Sequence, residues 1–310
     1  MSESAARDTD DDRHSGRHGD GHLAIPGQVD ARGAAAAGRS HRAGVPCDRA
    51  FALLDKQTGR IVSAKSVRRF PQMLACQAVF VEPPRLGHAL PPVRITLFDG
   101  TTFTSDAGNA DRLLSASFKH EVSLVRAAPA DFTIDQYHPD VEDGDPSGHR
   151  DTVVPQKLGS ALFAELGAPS PVPEGALFDV FPVSLLTTST LAQMNLRQPQ
   201  SRFDERRFRM NVIIGAAAPG FPENEWVGHE VRIGATTRVQ VTMPDPRCVM
   251  TTLAQEDLPA DTGILKALVA HNRLPLADGA LAPCAGVYAS IAAPGAIRTG
   301  DHVQLVAAEN

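Results

Sequence analysis

Residues 237–252 have the sequence TRVQVTMPDPRCVMTT, in which a strand pattern runs into a cysteine. Thr237–Met243 alternates polar and apolar side chains, which is the two-residue period of a half-buried strand. Pro244 and Pro246 then restrict the backbone and predict a rigid turn directly after the strand. Cys248 follows them, so we expect this stretch to present one thiol at the end of a strand.

Cys248 is the residue of this turn with the most distinctive chemistry. We expect the neighbouring guanidinium of Arg247 to favour the thiolate form, because a positive charge stabilises the anion. A thiolate is a ligand that soft or high-valent transition metals use in proteins. A lone cysteine is more commonly a small buried apolar residue. The local sequence therefore leaves a metal ligand and a packed thiol both open.

A second polar cluster lies upstream, where residues 206–214 read RRFRMNVII. In strand geometry Arg207, Arg209 and Asn211 share one face, since successive side chains point to opposite faces. Two guanidiniums and an amide on one face predict a site for an anion. The alternative, ion pairs with the two acidic residues directly upstream, has equal weight from the local sequence.

The bulk composition excludes several classes of protein. The chain has 310 residues, 42% of them apolar, and a formal net charge of -6, which allows one large domain or two modest ones. No basic stripe indicates nucleic-acid binding. No apolar run approaches the ~20 residues of a membrane span, and no signal sequence is visible, so we expect a cytosolic protein. The four cysteines are widely spaced and form neither a zinc ribbon nor a disulfide framework.

Composition divides the chain into three parts. Residues 1–44 are polar and are predicted to be a disordered tail. Residues 45–170 and 171–310 are predicted to form two β-rich domains. Residues 128–176, rich in Pro, Asp and Gly, are predicted to be a loop that contains the boundary between them.

Short strands separated by turn residues predict a mainly β protein with a few helices (α+β), built from barrels. In the clearest hairpin, Asp99-Gly100 joins Val93–Phe98 to Thr101–Thr104. Helices are predicted from Asp106 to Ser117, from Thr187 onward and around residues 264–269. The other predicted strands are Ala50–Leu54, Arg60–Ala64, Val122–Val125, Phe208–Ile214, Glu230–Ile233, Val287–Ile291 and His302–Val306.

A series of segments in the second domain resembles the MOSC domain, which is named from the C-terminal part of molybdenum-cofactor sulfurases. Together with the first domain, the resemblance covers roughly residues 45–308. No single segment is specific, but their order is. The segments are Phe178-Asp179, Pro182-Val183, Leu186–Leu191, Arg207–Asn211, Glu225–Gly228, Ile233-Gly234, Arg247–Thr251, Gly286–Ala289, Pro294-Gly295 and Gly300-Asp301.

The first domain resembles the N-terminal β-barrel that is often fused to a MOSC domain. The matching segments are Asp48–Asp55, Gly59-Arg60 and Ser63–Lys65. This pairing is similar to amidoxime-reducing, N-hydroxyl-reducing molybdoenzymes, and it implies an N-terminal β-barrel-like domain followed by a MOSC β-barrel. It also implies a molybdenum cofactor (molybdopterin) held by the protein.

The resemblance assigns roles to particular residues. Cys248 would be the metal ligand and a catalytic residue, and Asp245 beside it is a candidate proton relay. A pterin phosphate needs Arg, Asn and Ser or Thr donors near the thiolate. The implied cofactor contacts are Arg49, Thr188, Ser189, Arg207, Arg209, Asn211 and Arg247.

The sequence departs from this family in two respects. The family's first strand resembles Y-P-V-K-S, whose Lys and Ser help hold the cofactor, and no counterpart is recognisable. The sequence has no iron–sulfur cysteine set and no pyridoxal-phosphate domain. Electrons are therefore expected from a separate protein of the flavin, ferredoxin or haem type.

Three functions remain open on the sequence. The first is a molybdenum-dependent oxidoreductase that reduces small N-hydroxylated or N-oxide substrates, in which the cofactor carries the chemistry. The second is a non-catalytic module that carries the cofactor or its sulfur for a partner, which the missing Lys–Ser strand favours. The third is a barrel whose cofactor site has decayed.

Overall fold

The computed structural model describes residues 38–39, 44–45, 47–85, 87–216 and 219–306. Most of the predicted tail, residues 1–44, lies outside the described residues. Within the described ranges, no helix combines the length and apolar character needed to cross a membrane.

The described chain is mainly β with a few helices, as predicted. The helices are α1 Ala110–Phe118, α2 Gly159–Glu165, α3 Thr188–Arg197 and α4 Gly263–His271. Short 3₁₀ turns cover Met73–Ala75, Glu205–Arg207, Pro222–Trp226 and Val249–Thr252. The strands are β1 Gly38–Arg39, β2 Ala52–Asp55, β3 Ile61–Val62, β4 Gln77–Phe80, β5 Val93–Thr96, β6 Thr102–Thr104, β7 Val122–Val125, β8 Thr133–His138, β9 Thr152–Lys157, β10 Val183–Thr187, β11 Val212–Ile214, β12 Glu230–Ile233, β13 Thr237–Pro246, β14 Arg273–Pro275, β15 Leu281–Ala293, β16 Ala296–Ile297 and β17 Val303–Val306.

One curled sheet organises the C-terminal half. Its strand order is β11-β10-β15-β13-β12-β17, with β14 added against β15, and it forms a half-barrel. Only β10 and β11 pair in parallel, and the remaining ladders of this sheet are antiparallel. Apolar residues at alternate positions of the central strands, among them Val239, Val241, Val287 and Ala289, are fully buried. The helices α3 and α4 pack on a second buried cluster that includes Met194 and Leu268.

The N-terminal half consists of smaller sheets around two buried apolar clusters. Strands β3-β2-β7 and β4-β5-β6 form two three-stranded sheets, and β8 pairs with β9 in a hairpin. Leu53, Met73, Ile95 and Leu114 come from different elements and meet in one buried cluster. The predicted hairpin around Asp99-Gly100 is present as β5 and β6, joined by a turn in which Gly100 has a φ of 85°.

Two predictions about local structure are wrong. Residues 128–176 are not a loop, because they contain β8, β9 and α2. The buried side of β8 includes polar Gln136 and His138, so its pattern lacks the apolar alternation that reveals a strand. The helix predicted from Asp106 begins only at Ala110.

The long strand β13 also differs from the prediction of a turn at the prolines. It continues through Pro244 and Pro246, which pair with Val287 and Cys284 of β15. The ladder shifts register between Val241 and Met243 and again between the two prolines. Such irregularities accommodate residues that lack an N–H donor, so the strand reaches two residues short of Cys248.

Gly286→Ala tests how tightly β15 packs on β10. Gly286 has a φ of 83°, and an added Cβ would lie 2.4 Å from the carbonyl oxygen of Leu185. Backbone strain and this overlap should together lower the free energy of unfolding by about 2 kcal/mol or more, measured by urea denaturation. Gly279→Ala is the matched control, because it shares a φ of 80° but has nothing within 4 Å of its new Cβ. Equal losses in both variants would show that the overlap with Leu185 has no cost.

Candidate functional site

A polar cleft opens where the N-terminal sheets meet the end of β13. It brings together segments that are far apart in the chain, including the turn after β3, the 3₁₀ turn at 205–207 and the end of β13. The residues that line it are Arg49, Ser63, Lys65, Asp179, Ser184, Arg207, Phe208, Arg209, Asp245, Pro246, Arg247, Cys248, Met250, Thr251 and Tyr288.

Cys248 lies in this cleft, half-buried, at the start of the 3₁₀ turn Val249–Thr252. Its own carbonyl oxygen accepts hydrogen bonds from the backbone N–H and the hydroxyl of Thr251. The preceding backbone is fixed by a 2.7 Å hydrogen bond from the N–H of Arg247 to the carbonyl of Pro283 in β15. The thiol is thus presented on a backbone that is held from both sides.

Arg207 stabilises the 3₁₀ turn Val249–Thr252, which follows Cys248. The residue is 1% exposed, and its guanidinium donates to carbonyl oxygens of several loops. The acceptors are Arg202, Thr251, Leu253 and Pro259, at 2.8 to 3.3 Å. All of these bonds are internal, so the observed role of Arg207 is to tie the turn after Cys248 to the loop at 202.

The predicted strand face with Arg207, Arg209 and Asn211 is wrong. Residues 205–207 form a 3₁₀ turn, Arg209 has a φ of 53°, and the strand starts only at Val212. A left-handed residue reverses the direction in which neighbouring side chains point, so the three side chains separate. Tertiary contacts, rather than strand alternation, bring Arg207 and Arg209 to the cleft.

Arg209 has no hydrogen-bond partner for its Nε and Nη2 within the described part of the chain, although both atoms are buried. Burial, reinforced by the nearby positive charge of Arg49, lowers the pKa of Arg209 to about 10. The guanidinium nevertheless stays protonated at neutral pH. A buried cation with two free donors is costly unless a ligand completes it, and this side chain therefore points to an anion.

Asp179 joins two other cations at the cleft. One carboxylate oxygen accepts from Arg49 at 3.0 Å and the other from Lys65 at 2.7 Å. Burial alone would raise the pKa of Asp179, but Lys65 and Arg49 outweigh it and hold the pKa below its usual range. Lys65 also lies close enough to Cys248 for the two to interact electrostatically. Lys65 thus supplies positive charge beside the thiol.

The sequence predicted that the guanidinium of Arg247 would be the positive charge beside the Cys248 thiol. In the structure this guanidinium instead binds backbone carbonyl groups and Asp245. Its Nε and Nη2 donate to the carbonyl oxygen of Ala285, and Nη1 donates to the carbonyl oxygen of Phe208. Nη2 also forms a 2.6 Å ion pair with Asp245. Arg247 therefore joins β15 to the segment that precedes Arg209.

Asp245 is 2% exposed and lies at the end of β13. Burial raises the pKa of its carboxyl to about 6, against the opposing effect of Arg247. Burial and the proximity of Asp245 also raise the pKa of the Tyr288 hydroxyl above its ordinary value. The floor of the cleft therefore contains a carboxyl group that can exchange a proton near neutral pH.

Asn211 lies behind the cleft and connects two of its walls. Its amide oxygen accepts from the backbone N–H of Ser184 at 2.9 Å, and its amide nitrogen donates to Asp48 at 2.7 Å. Burial raises the pKa of Asp48 to about 6. These bonds occupy the amide of Asn211 and position the segment around Arg49.

The structure does not bring Thr188 and Ser189 to this cleft. The Thr188 hydroxyl exchanges hydrogen bonds with the backbone of Ala216, and Ser189 is 2% exposed in the first turn of α3. Conversely, the sequence did not predict four site residues that line the cleft, namely Ser63, Lys65, Asp179 and Tyr288. Ser63-Ala64-Lys65 after a predicted strand was an available signal, whereas nothing local marked Asp179 or Tyr288.

The charge of the lining is strongly asymmetric. Five basic side chains face two carboxylates among the lining residues. Asp179 and Asp245 are each paired with basic residues, so positive charge remains in excess at Arg209. A half-buried thiol, a positively charged wall and a buried titratable carboxyl suit an anionic ligand that also offers an acceptor for sulfur.

Part of the chain that lines this cleft is similar to known proteins. Residues 174–304, in the C-terminal half of the chain, match the model of the MOSC domain. Two similar relatives are both called mitochondrial amidoxime reducing component 2, from Homo sapiens and Macaca fascicularis. Each is 28% identical over 134 residues, which cover 40% of this chain and 37% of the relative. The match thus spans little more than a third of these relatives.

Solved structures with partial similarity include two bacterial proteins. YiiM from Geobacillus stearothermophilus matches with a TM-score of 0.27 and 18% identity, over 41% of this chain and 55% of that one. The YuaD protein from Bacillus subtilis matches with a TM-score of 0.33 and 16% identity, over 59% and 85% of the two chains.

Asp245→Asn tests the protonation assigned to the cleft. The carboxyl has a higher pKa in the folded state, about 6, than its ordinary value of 3.8. The folded state therefore binds the proton more tightly, and the stability of the wild type falls as pH rises through this interval. Two pKa units correspond to about 3 kcal/mol, so the variant should gain up to that amount on the wild type between about pH 4 and pH 7.

The measurement is urea unfolding of both proteins across that pH range. Asp48 titrates in the same interval but is present in both proteins, so its contribution cancels in the difference. A difference in stability that stays constant with pH would contradict the raised pKa of Asp245.

Proposed function

We propose that this chain, whose residues 174–304 match the model of the MOSC domain, binds a molybdenum cofactor in the cleft around Cys248 and reduces N-hydroxylated substrates. The MOSC-domain match and the partial similarity to amidoxime reducing components support the proposal. The single structural observation that carries it is Arg209, a buried cation with two free donors in the same cleft as an accessible thiol.

The residues present fit such a cofactor. A molybdopterin combines a phosphate, a pterin edge and a metal that accepts a thiolate. The free Nε and Nη2 of Arg209 suit a phosphate oxygen, because guanidinium and phosphate pair in a two-pronged geometry. Cys248 would be the ligand of the metal, since thiolate suits a soft or high-valent ion.

Lys65 and Ser63 supply the two residue types that the sequence lacked in a recognisable opening strand. The resemblance led us to expect a Lys and a Ser from an opening strand, and no such strand was recognisable. Both Lys65 and Ser63 line the cleft, although they come from the turn after β3. Asp179 holds the Lys65 ammonium at 2.7 Å, so its charge has a fixed position beside Cys248.

The chain's own residues would position substrate charge and move a proton. When bound, the cofactor would supply two electrons, and an N–OH group plus two protons would become N–H and water. Asp245, with a pKa of about 6, would hold and deliver one of those protons from its carboxyl oxygen. The buried lining around Asp245 and Tyr288 would limit the access of bulk water to that transfer.

A separate electron donor and a cytosolic address stay predictions. Arg49, Arg209, Arg247 and Cys248 stay candidates for direct contact with the cofactor. Thr188 and Ser189 would need movement of the α3 end to reach it, and Arg207 is better placed to support the turn that presents Cys248. A carrier that binds the cofactor without catalysing reduction is the alternative outcome of the test below.

Cys248→Ser tests the metal ligand directly. The protein is produced in cells that synthesise the molybdenum cofactor, and its molybdenum content is measured by elemental analysis. The wild type should contain molybdenum and reduce an amidoxime with reduced methyl viologen as electron donor, whereas Cys248→Ser should lose reduction. Cys47→Ser is the matched control, because Cys47 is also half-buried but does not line the cleft.

The outcomes of this experiment separate the candidate functions. Molybdenum without amidoxime reduction in the wild type would leave the carrier function and exclude the reductase. A Cys248→Ser variant with unchanged molybdenum and unchanged turnover would exclude Cys248 as the ligand.

Arg209→Met tests whether the unpaired guanidinium exists for a ligand. Removing a buried charge whose Nε and Nη2 lack hydrogen-bond partners should leave the cofactor-free protein as stable as the wild type or more stable. The same change should lower the phosphate-bearing cofactor retained after purification, by about tenfold for the loss of one charged hydrogen-bond pair. Thermal unfolding and cofactor content are measured on the same preparations. A marked loss of stability in the cofactor-free variant would show that Arg209 is structural.

A further inference from the structure

Two histidines and an aspartate converge at the loop end of the β8–β9 hairpin, and none of the three lines the cleft. His138 is the last residue of β8, and Asp145 and His149 come from the connection to β9. One ligand atom from each of the three side chains lies within 4.8 Å of the others. The comparisons and the proposed function assign no role to this cluster.

One of the two distances in this cluster is too long for a hydrogen bond and matches the spacing of two ligands around one ion, and the other is that of an ordinary hydrogen bond. The Nδ1 of His138 lies 3.4 Å from Oδ1 of Asp145, and the Nδ1 of His149 lies 2.8 Å from Oδ2. The first distance exceeds that of a normal N–H···O bond. Two ligands about 2.1 Å from a tetrahedral zinc ion are themselves about 3.4 Å apart. Small side-chain rotations would therefore place all three atoms around one centre.

The supporting structure is preorganised. The Asp145 carboxylate also accepts the backbone N–H of His149 at 3.1 Å, and the Asp145 carbonyl accepts from Gly148 at 2.9 Å. Gly148 has a φ of 77°, a conformation that glycine adopts without strain. This turn brings Asp145 and His149 to the same side of the loop, facing His138.

Gln136 provides a second layer behind His138. It is buried on the same strand, and its amide lies 3.5 Å from the Nε2 of His138. The amide nitrogen of Gln136 faces the ring in the structure. With its amide oxygen turned toward the ring instead, Gln136 would accept a hydrogen bond from the Nε2–H and leave Nδ1 free to bind a metal. Metal-binding histidines are commonly oriented in this way through their second nitrogen.

Exposure falls steadily across the cluster. The His138 and Asp145 side chains are 10% and 15% exposed, whereas His149 is 40% exposed. An ion could therefore enter from the side of His149, and its remaining coordination position would face solvent. Three protein ligands with one open position is the arrangement of a non-structural zinc site.

We propose that His138, Asp145 and His149 form a Zn²⁺ site with one open coordination position. Two imidazoles and one carboxylate suit zinc rather than magnesium or calcium, which prefer oxygen ligands alone. The ion would cross-link the end of β8 to residues 145–149. It would also hold the loop that reaches β14 through the 2.8 Å ion pair between Asp143 and Arg273.

The test is a Zn²⁺ titration of the full chain against a competing chromogenic chelator. The Cys248→Ser background is used, because the thiol of Cys248 could bind zinc by itself. We expect one tightly bound equivalent, weakened at least about tenfold in His149→Ala and in Asp145→Asn. His88→Ala is the matched control, since His88 is an exposed loop histidine outside the cluster. The four histidines within residues 1–44 are present in every variant, so their binding cancels.

The absorption spectrum of bound Co²⁺ is a second readout, and it needs no substitution within the cluster. Co²⁺ bound to the Cys248→Ser chain should give the intense visible bands of a four-coordinate ion, and Zn²⁺ should displace them. Zinc should also raise the melting temperature of this chain but not that of His149→Ala, because a ligand of the folded state alone stabilises it. Equal zinc affinity in the His149→Ala variant, or only the weak spectrum of six-coordinate Co²⁺, would overturn the site. Since Cys248 is absent throughout, either result leaves the proposed molybdenum function untouched.

Discussion

The concentration of positive charge at one cleft is the constraint on which the arrangement of this molecule depends. Arg49, Lys65, Arg207, Arg209 and Arg247 all reach the same cavity, and each must be stabilised away from bulk water. Burial of a cation is tolerable only when a carboxylate, carbonyl groups or a ligand replaces its hydration. The chain meets this demand differently for each residue, and the differences distinguish structural cations from functional ones.

Four of these cations are paired with carboxylates or with backbone carbonyl oxygens. Asp179 holds Arg49 and Lys65, Asp245 holds Arg247, and Arg207 is surrounded by main-chain oxygens. Arg209 alone among these five keeps buried donors without partners in the described structure. The buried donors without partners are therefore concentrated at one side chain, in the cleft that Cys248 also lines. An anionic cofactor would relieve the repulsion that the protein tolerates without it.

The pairing of β13 with β15 explains why the chemistry collects at one end of the sheet. Register shifts in this pair allow two prolines to stay in the strand, and they place Met243 opposite Tyr288 and Pro246 opposite Cys284. Asp245 is then buried at the end of the strand, and Cys248 emerges on the turn just beyond it. Gly286 lies close against Leu185 and lets β10 approach, which brings Ser184 and Asp179 to the same cavity. Lys65, which lines the cleft, also contacts the β8–β9 hairpin, because the backbone N–H of Tyr137 donates to the backbone carbonyl of Lys65.

The sequence by itself determined the mainly β class, the hairpin at Asp99-Gly100 and the presentation of Cys248 at the end of a strand, because these follow from local periodicity and turn chemistry. It also indicated Arg49, Arg209 and Arg247 near that thiol through the order of short segments. Only the tertiary structure decided that Arg207 is internal, that Asn211 lies behind the cleft and that Thr188 and Ser189 lie outside it. A positive φ at Arg209 and contacts between residues more than a hundred positions apart, such as Lys65 with Asp179, leave no periodic trace in the sequence. The hairpin at 133–157 was missed because its buried side uses Gln136 and His138, and polar residues on a buried face do not give the apolar alternation of a core strand.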